Sequence, residues 1–169
     1  RSIRAVLLGG AAGTFVRGDE LDIPLTFEGA RAAGTSLGSG VVLVLDDTAD
    51  LGATLARVAA FFRDESCGQC VPCRVGTVRQ EESLLRLRSG ASPAQELPLL
   101  REVGRAMRDA SICGLGQTAW NAVESAIDRL GLYSGSDPDG TGAPDPDHPR
   151  NPDPAHTPVP GDRAATEEA

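Results

Sequence analysis

Hydrophobic positions change period near residue 47. Before it, apolar residues come in short unbroken runs, Ala5-Val6-Leu7-Leu8 and Val41-Val42-Leu43-Val44-Leu45, each bounded by glycine. Runs of that length, rich in branched side chains, predict buried β-strands. Gly9, Gly10, Gly13, Gly29, Gly34, Gly38 and Gly40 lie between them and predict tight turns with close backbone approach. A phosphate-cradling loop is the rival reading of these glycines, but no G-x-G-x-x-G opens a helix and no Walker lysine exists.

From Thr48 the spacing is helical. Leu51, Leu55, Val58, Ala59 and Phe62 share one face, with Asp47 or Thr48 placed to cap the start. A second helix is predicted from Arg74 to Arg88, with Val75, Val78, Leu84 and Leu85 inward and Gly90 as its C′ residue. Ser92-Pro93-Ala94-Gln95 has the form of a capping box. Pro98 argues against so early a start, so the third helix is placed from Pro98 to Asp109, with Leu99, Val103, Ala106 and Met107 as its apolar stripe. The fourth runs from Asn121 to Leu130 with Val123, Ile127 and Leu130 inward, and Asn121 with Glu124 forms another potential box. Four helices with short connections predict a small bundle, and an up-down-up-down order puts the first and third connections at the same end.

The pattern stops after Leu132, where eight of the twelve prolines lie among glycine and aspartate. Residues 133–169 are therefore expected to be a disordered acidic tail. His148 and His156 fall there and read as solvated residues, since nothing would orient them as ligands.

Composition changes this picture only slightly. Much of the formal charge of −8 belongs to the tail, which holds eight acids against two arginines. The chain has no lysine, and no basic stripe or aromatic platform suggests nucleic acid as a partner. No apolar run reaches the roughly eighteen residues that membrane insertion needs. The sequence opens at Arg1, and an incomplete N-terminal fold is expected. Four thiols without partners suit a reducing compartment.

The thiols carry the chemistry. Cys67-Gly-Gln-Cys70-Val-Pro-Cys73 puts three cysteines in one loop, and Cys113 follows inside Ser111-Ile-Cys-Gly-Leu-Gly116. A CxxCxxC run with one remote cysteine is suited to an iron–sulfur cubane, three irons taken by the loop and the last by a residue the fold delivers. Structural zinc is the rival for four thiolates, although such sites usually come as two paired knuckles rather than three plus one. A redox CxxC is the weaker rival, because the middle cysteine serves both pairs and no thioredoxin-like unit surrounds it. Gly68, Gly114 and Gly116 are expected to let backbone N–H groups approach the sulfurs. Arg74 would favour the reduced cluster or else make a surface ion pair, and Pro72 stiffens the loop.

Glu65-Ser-Cys67-Gly-Gln-Cys70-Val-Pro-Cys73-Arg-Val-Gly-Thr77, with Ser111-Ile-Cys113-Gly-Leu-Gly-Gln-Thr118, resembles the iron–sulfur region of the flavoprotein subunit that receives NADH in respiratory complex I. It is also similar to diaphorase subunits of NAD-linked hydrogenases and formate dehydrogenases. Gly9-Gly10-Ala-Ala-Gly13-Thr, Leu21 to Phe27 and Gly34 to Leu43 resemble the end of the β-grasp (SLBB-like) domain that precedes it in those subunits.

The resemblance implies an α+β fold: a partial β-grasp segment over residues 1–47, a four-helix [4Fe–4S] domain over 48–132, then the tail. It implies Cys67, Cys70, Cys73 and Cys113 as cluster ligands, with FMN and NADH held on an upstream domain absent from these residues. The implied role is to take single electrons from reduced FMN and pass them to another protein of the same complex, foremost a [2Fe–2S] subunit. The implied location is the cytoplasm, peripheral on the cytoplasmic face of a membrane complex. The alternative is a structural or docking module built on zinc or a redox-inert metal.

Overall fold

The computed structural model describes residues 1–134; the tail from 135 onward, with both histidines, lies outside the described residues. The fold mixes helices with a three-stranded antiparallel sheet. The sheet comprises β1 (Ile3–Leu8), β2 (Thr14–Arg17) and β3 (Val42–Asp46) in the order β2-β1-β3. Between β2 and β3 lies the short α1 (Phe27–Ala32), whose Gly29 N–H is accepted by Thr26. The helical part follows as α2 (Leu51–Asp64), α3 (Val71–Arg88), α4 (Pro93–Ala110), α5 (Gly114–Thr118) and α6 (Asn121–Asp128).

β2 has only Phe15 and Val16 as an apolar run, too short to signal a strand by periodicity. It forms because the chain reverses tightly, pairing Leu8 with Thr14 and Ala5 with Arg17. Gly13 permits the reversal, since a Cβ there would lie 1.8 Å from the Leu8 carbonyl oxygen. The expectation that residues 41–45 form a buried strand needs correction: β3 forms, but as an edge strand with Val42, Leu43 and Val44 all exposed.

Ion pairs and caps fix the direction of the helices. Arg63 of α2 pairs with Glu81 of α3, and Arg88 at the far end of α3 pairs with Asp50 at the start of α2, so these two run antiparallel. Arg86 pairs with Glu96 at the start of α4, while Gly76 of α3 faces Met107 near the end of α4. Arg101 and Arg108 of α4 reach Asp128 and Glu124 of α6. Each of α3, α4 and α6 therefore runs antiparallel to the helix it packs against.

Several boundaries and faces differ from the sequence expectation. Asp50, not Asp47 or Thr48, caps α2 by accepting from Ala53 N–H at 2.8 Å. α3 begins at Val71, and Val75, Val78 and Leu85, expected inward, are exposed. Its buried face is instead Cys73, Gly76, Thr77, Gln80, Ser83, Leu84 and Leu87, because α3 lies between α2 and α4 and close packing on both sides favours small residues. The buried polar groups find partners: Thr77 Oγ1 donates to Cys73 O at 2.9 Å, and Gln80 Nε2 to Ala119 O at 2.9 Å.

α4 starts at Pro93, so Pro98 lies inside it. One bond to Ala94 is lost, but Pro98 is near the helix start and Leu100, Gly104 and Met107 still bury. Leu99 is exposed. Neither expected capping box forms. Ser92 and Trp120 precede α4 and α6 without side-chain caps; Asn121 donates instead to Ala12 O at 3.0 Å and Glu124 pairs with Arg108.

One main core joins the sheet to the helices, with Ala5, Leu7 and Phe15 packed among Leu55, Leu84, Met107, Trp120, Val123 and Ile127. Phe15 N–H donates to Ser125 Oγ at 2.8 Å, tying β2 to α6. Tyr133, the first residue of the expected tail, packs against this core. Among the described residues no helix is long and apolar enough to cross a membrane.

Candidate metal centre

The antiparallel order brings the start of α3 beside the end of α4. The α2–α3 loop carries Cys67, turns at Gly68 with φ +73°, and enters α3 at Cys70, its N-cap. Cys73 falls in the first turn and is 4% exposed. Pro72 sits in that turn too, where an N–H has no intrahelical partner and its loss costs little. On the other side Ser111 ends α4 and Cys113 is the N-cap of α5. Cys67 and Cys113 are exposed and Cys70 is half-buried.

The two loops touch through backbone and sulfur. The Ile112 N–H is directed at the Cys70 thiol and is the main cause holding it below the usual cysteine range, against burial; Cys73 N–H and the Ser111 hydroxyl act in the same sense. Cys73 is shifted the opposite way: burial raises it, Ser66 Oγ 3.3 Å from its Sγ offsets part of this, and Cys70, Cys113 and Cys67 each raise it further. The other three sequence-predicted cysteines thus each act on the buried Cys73. Amides aimed at a cysteine sulfur, beside thiols that disfavour ionisation of the buried one, suit a positively charged inorganic centre.

Gly116 seats the second loop. A Cβ there would lie 2.3 Å from Ser111 Oγ and 2.9 Å from Cys73 Cβ, so any side chain would push α5 off the cysteine loop. At Gly114 no atom of the protein lies within 4 Å of where a Cβ would stand. Among the described residues Arg74 has no ion-pair partner; it donates from Nη1 to Gly68 O at 2.8 Å, strapping the cysteine loop to α3. Ser66, Ser111 and Ile112 are not singled out by the sequence; Ser66 and Ile112 each directly precede a cysteine, which is the one signal they offer.

The candidate donors are four thiols, a set that structural zinc and an iron–sulfur cubane each take. A single zinc ion draws its thiolates to about 2.3 Å from the metal. Among the described residues no group of three or more His, Cys, Asp or Glu side chains is placed to hold a metal ion of any kind. A cubane spreads four thiolates over four iron corners and fits an all-sulfur set held on two separate loops.

Comparison with known proteins agrees. Residues 53–131 match the NADH-ubiquinone oxidoreductase-F iron–sulfur binding region, a 4Fe–4S family. The chain is 32% identical over 128 residues to the NADP-reducing hydrogenase subunit HndC of Solidesulfovibrio fructosivorans, covering 76% of this chain and 26% of that one. It is 33% identical over 126 residues to an NADH-quinone oxidoreductase subunit of Rickettsia rickettsii (strain Sheila Smith), covering 75% and 30%. A solved structure of an NAD+-reducing [NiFe]-hydrogenase in the H2-reduced state superposes with a TM-score of 0.70 at 34% identity, over 78% of this chain and 22% of that one. The chain spans less than a third of the length of each of these relatives.

Proposed function

We propose that Cys67, Cys70, Cys73 and Cys113 hold one [4Fe–4S] cluster, and that the chain is the electron-transfer part of an NADH-oxidising flavoprotein subunit. In this reading FMN and NADH bind on a domain these residues do not include, and single electrons pass from reduced FMN through this region to a partner [2Fe–2S] subunit in a complex at the cytoplasmic face of a membrane. The sheet is read as the end of a β-grasp and α2, α3, α4 and α6 as a four-helix bundle. When bound, such a cluster supplies a one-electron couple, with a potential set by charge, hydrogen bonds and exposure.

The residues divide the work without any acid, base or nucleophile. Cys73 and the small face of α3 keep water from the inner side. The Ile112 N–H and Ser111 hydroxyl stabilise negative charge on the Cys70 sulfur, and the N-terminus of α3 adds its partial positive charge. Exposed Cys67 and Cys113 leave an outer edge that a donor and an acceptor can approach.

The observation that carries this reading is the seating of the Cys113 loop on the first turn of α3, where a Cβ at Gly116 would lie 2.9 Å from Cys73 Cβ. Anaerobic reconstitution of the 169-residue chain should yield iron and acid-labile sulfide, with an EPR signal after dithionite. Serine at any of the four cysteines should strongly reduce loading. Tight zinc uptake with no reducible signal would instead establish a structural docking module.

A further inference from the structure

Ser66 stands just before the first cysteine, at the end of the turn that leaves α2. Its Oγ lies 3.3 Å from Cys73 Sγ, and Gly68 N–H donates to that same Oγ at 3.4 Å. A hydroxyl has one proton and two lone pairs. With Gly68 N–H on a lone pair and an ionised, metal-bound Cys73 sulfur unable to donate, the Ser66 proton has the sulfur as its partner. Gly68 is itself held from its carbonyl side by Arg74 at 2.8 Å. The hydroxyl is therefore oriented by the backbone of the cysteine loop.

We infer that Ser66 is a positioning residue that donates a hydrogen bond to the Cys73 sulfur and thereby raises the reduction potential of the cluster, an inference that rests on the cluster reading above. The direction follows from charge. Reduction adds an electron to an already anionic assembly, a donor to sulfur stabilises the reduced form more than the oxidised one, and low surrounding polarity strengthens the effect at the most buried of the four thiols. Water cannot easily replace the bond, because Cys73 is 4% exposed.

The test uses the full 169-residue chain, reconstituted anaerobically, with the midpoint read by EPR-monitored redox titration. Ser66→Thr keeps the hydroxyl, while Ser66→Val keeps nearly the same shape without it. We expect Ser66→Val and Ser66→Ala to lower the midpoint, changing the reduced-to-oxidised ratio at fixed potential by up to about tenfold, or about 59 mV for one electron. Ser66→Thr should remain near the unaltered value. Equal midpoints in all four chains overturn the inference, as does a Ser66→Thr shift as large as that of Ser66→Val. If only the hydroxyl-bearing chains load a cluster, the hydroxyl is a structural clamp and the tuning role is also overturned. Failure of the unaltered chain to bind iron and sulfide would refute the underlying cluster reading instead.

Discussion

Single residues show how local chemistry and burial diverge. Tyr133 follows the last apolar residue before the tail, yet its ring joins the core and its hydroxyl is buried with no hydrogen-bond partner among the described residues. Burial, helped by Asp50 and opposed by Arg88, pushes its phenol up to about 12. An unfolded tyrosine ionises near 10, so the native state favours the protonated form. The associated stability is fully present below about pH 10 and is lost as pH rises from there towards about 12. Urea unfolding at stepped alkaline pH should show this decline, and Tyr133→Phe should reduce it; identical profiles would place the ring in solvent.

At the scale of elements, helix packing depends on residues that hydrophobic spacing cannot rank. α4 meets the ring of Trp120 at Gly104, where an added Cβ would lie 2.2 Å from Trp120 Cδ2. Gly104→Ala raises intrinsic helix propensity by about 1 kcal/mol, but it overpacks a fully buried contact, which typically costs about 1–3 kcal/mol or more. The clash should win, with a lower urea midpoint and altered Trp120 fluorescence. A more stable Gly104→Ala chain would mean that the two elements are not in close contact.

α3 makes the same point in reverse. Its exposed Val75, Val78 and Leu85 look like a core face, and its buried Gly76, Thr77, Gln80 and Ser83 look like a surface. Periodicity ranks residues by solubility in water, whereas a helix between two neighbours is sorted by size and by whether each polar group finds a partner. α2, with one partnered face, buries Leu51, Leu55, Ala59 and Phe62 as its spacing predicts.

For the whole molecule, one face of the sheet shares a core with the helices while Val6, Leu8 and Val16 form a small cluster of their own, and Phe15 N–H to Ser125 and Asn121 to Ala12 fasten sheet to helices. They should therefore unfold together. Hydrogen exchange of slow amides at Leu7 and Val16 should report the same global opening free energy as Leu84 and Val123, with Trp120 fluorescence giving the same urea midpoint. A sheet that opened well before the helices would show that the shared contacts contribute little.

The sequence by itself determined the candidate ligands, the CxxCxxC loop ahead of a helix, the two strands with the longest apolar runs and the helices that have one wet face. These follow from local rules: thiol spacing, branched runs and one-sided amphipathicity. The tertiary structure decided β2, α1 and α5, the buried face of α3, and the Ser66, Ser111 and Ile112 groups that meet the thiols. Those depend on which surfaces are pressed together, and contact between residues far apart along a chain leaves no period in it.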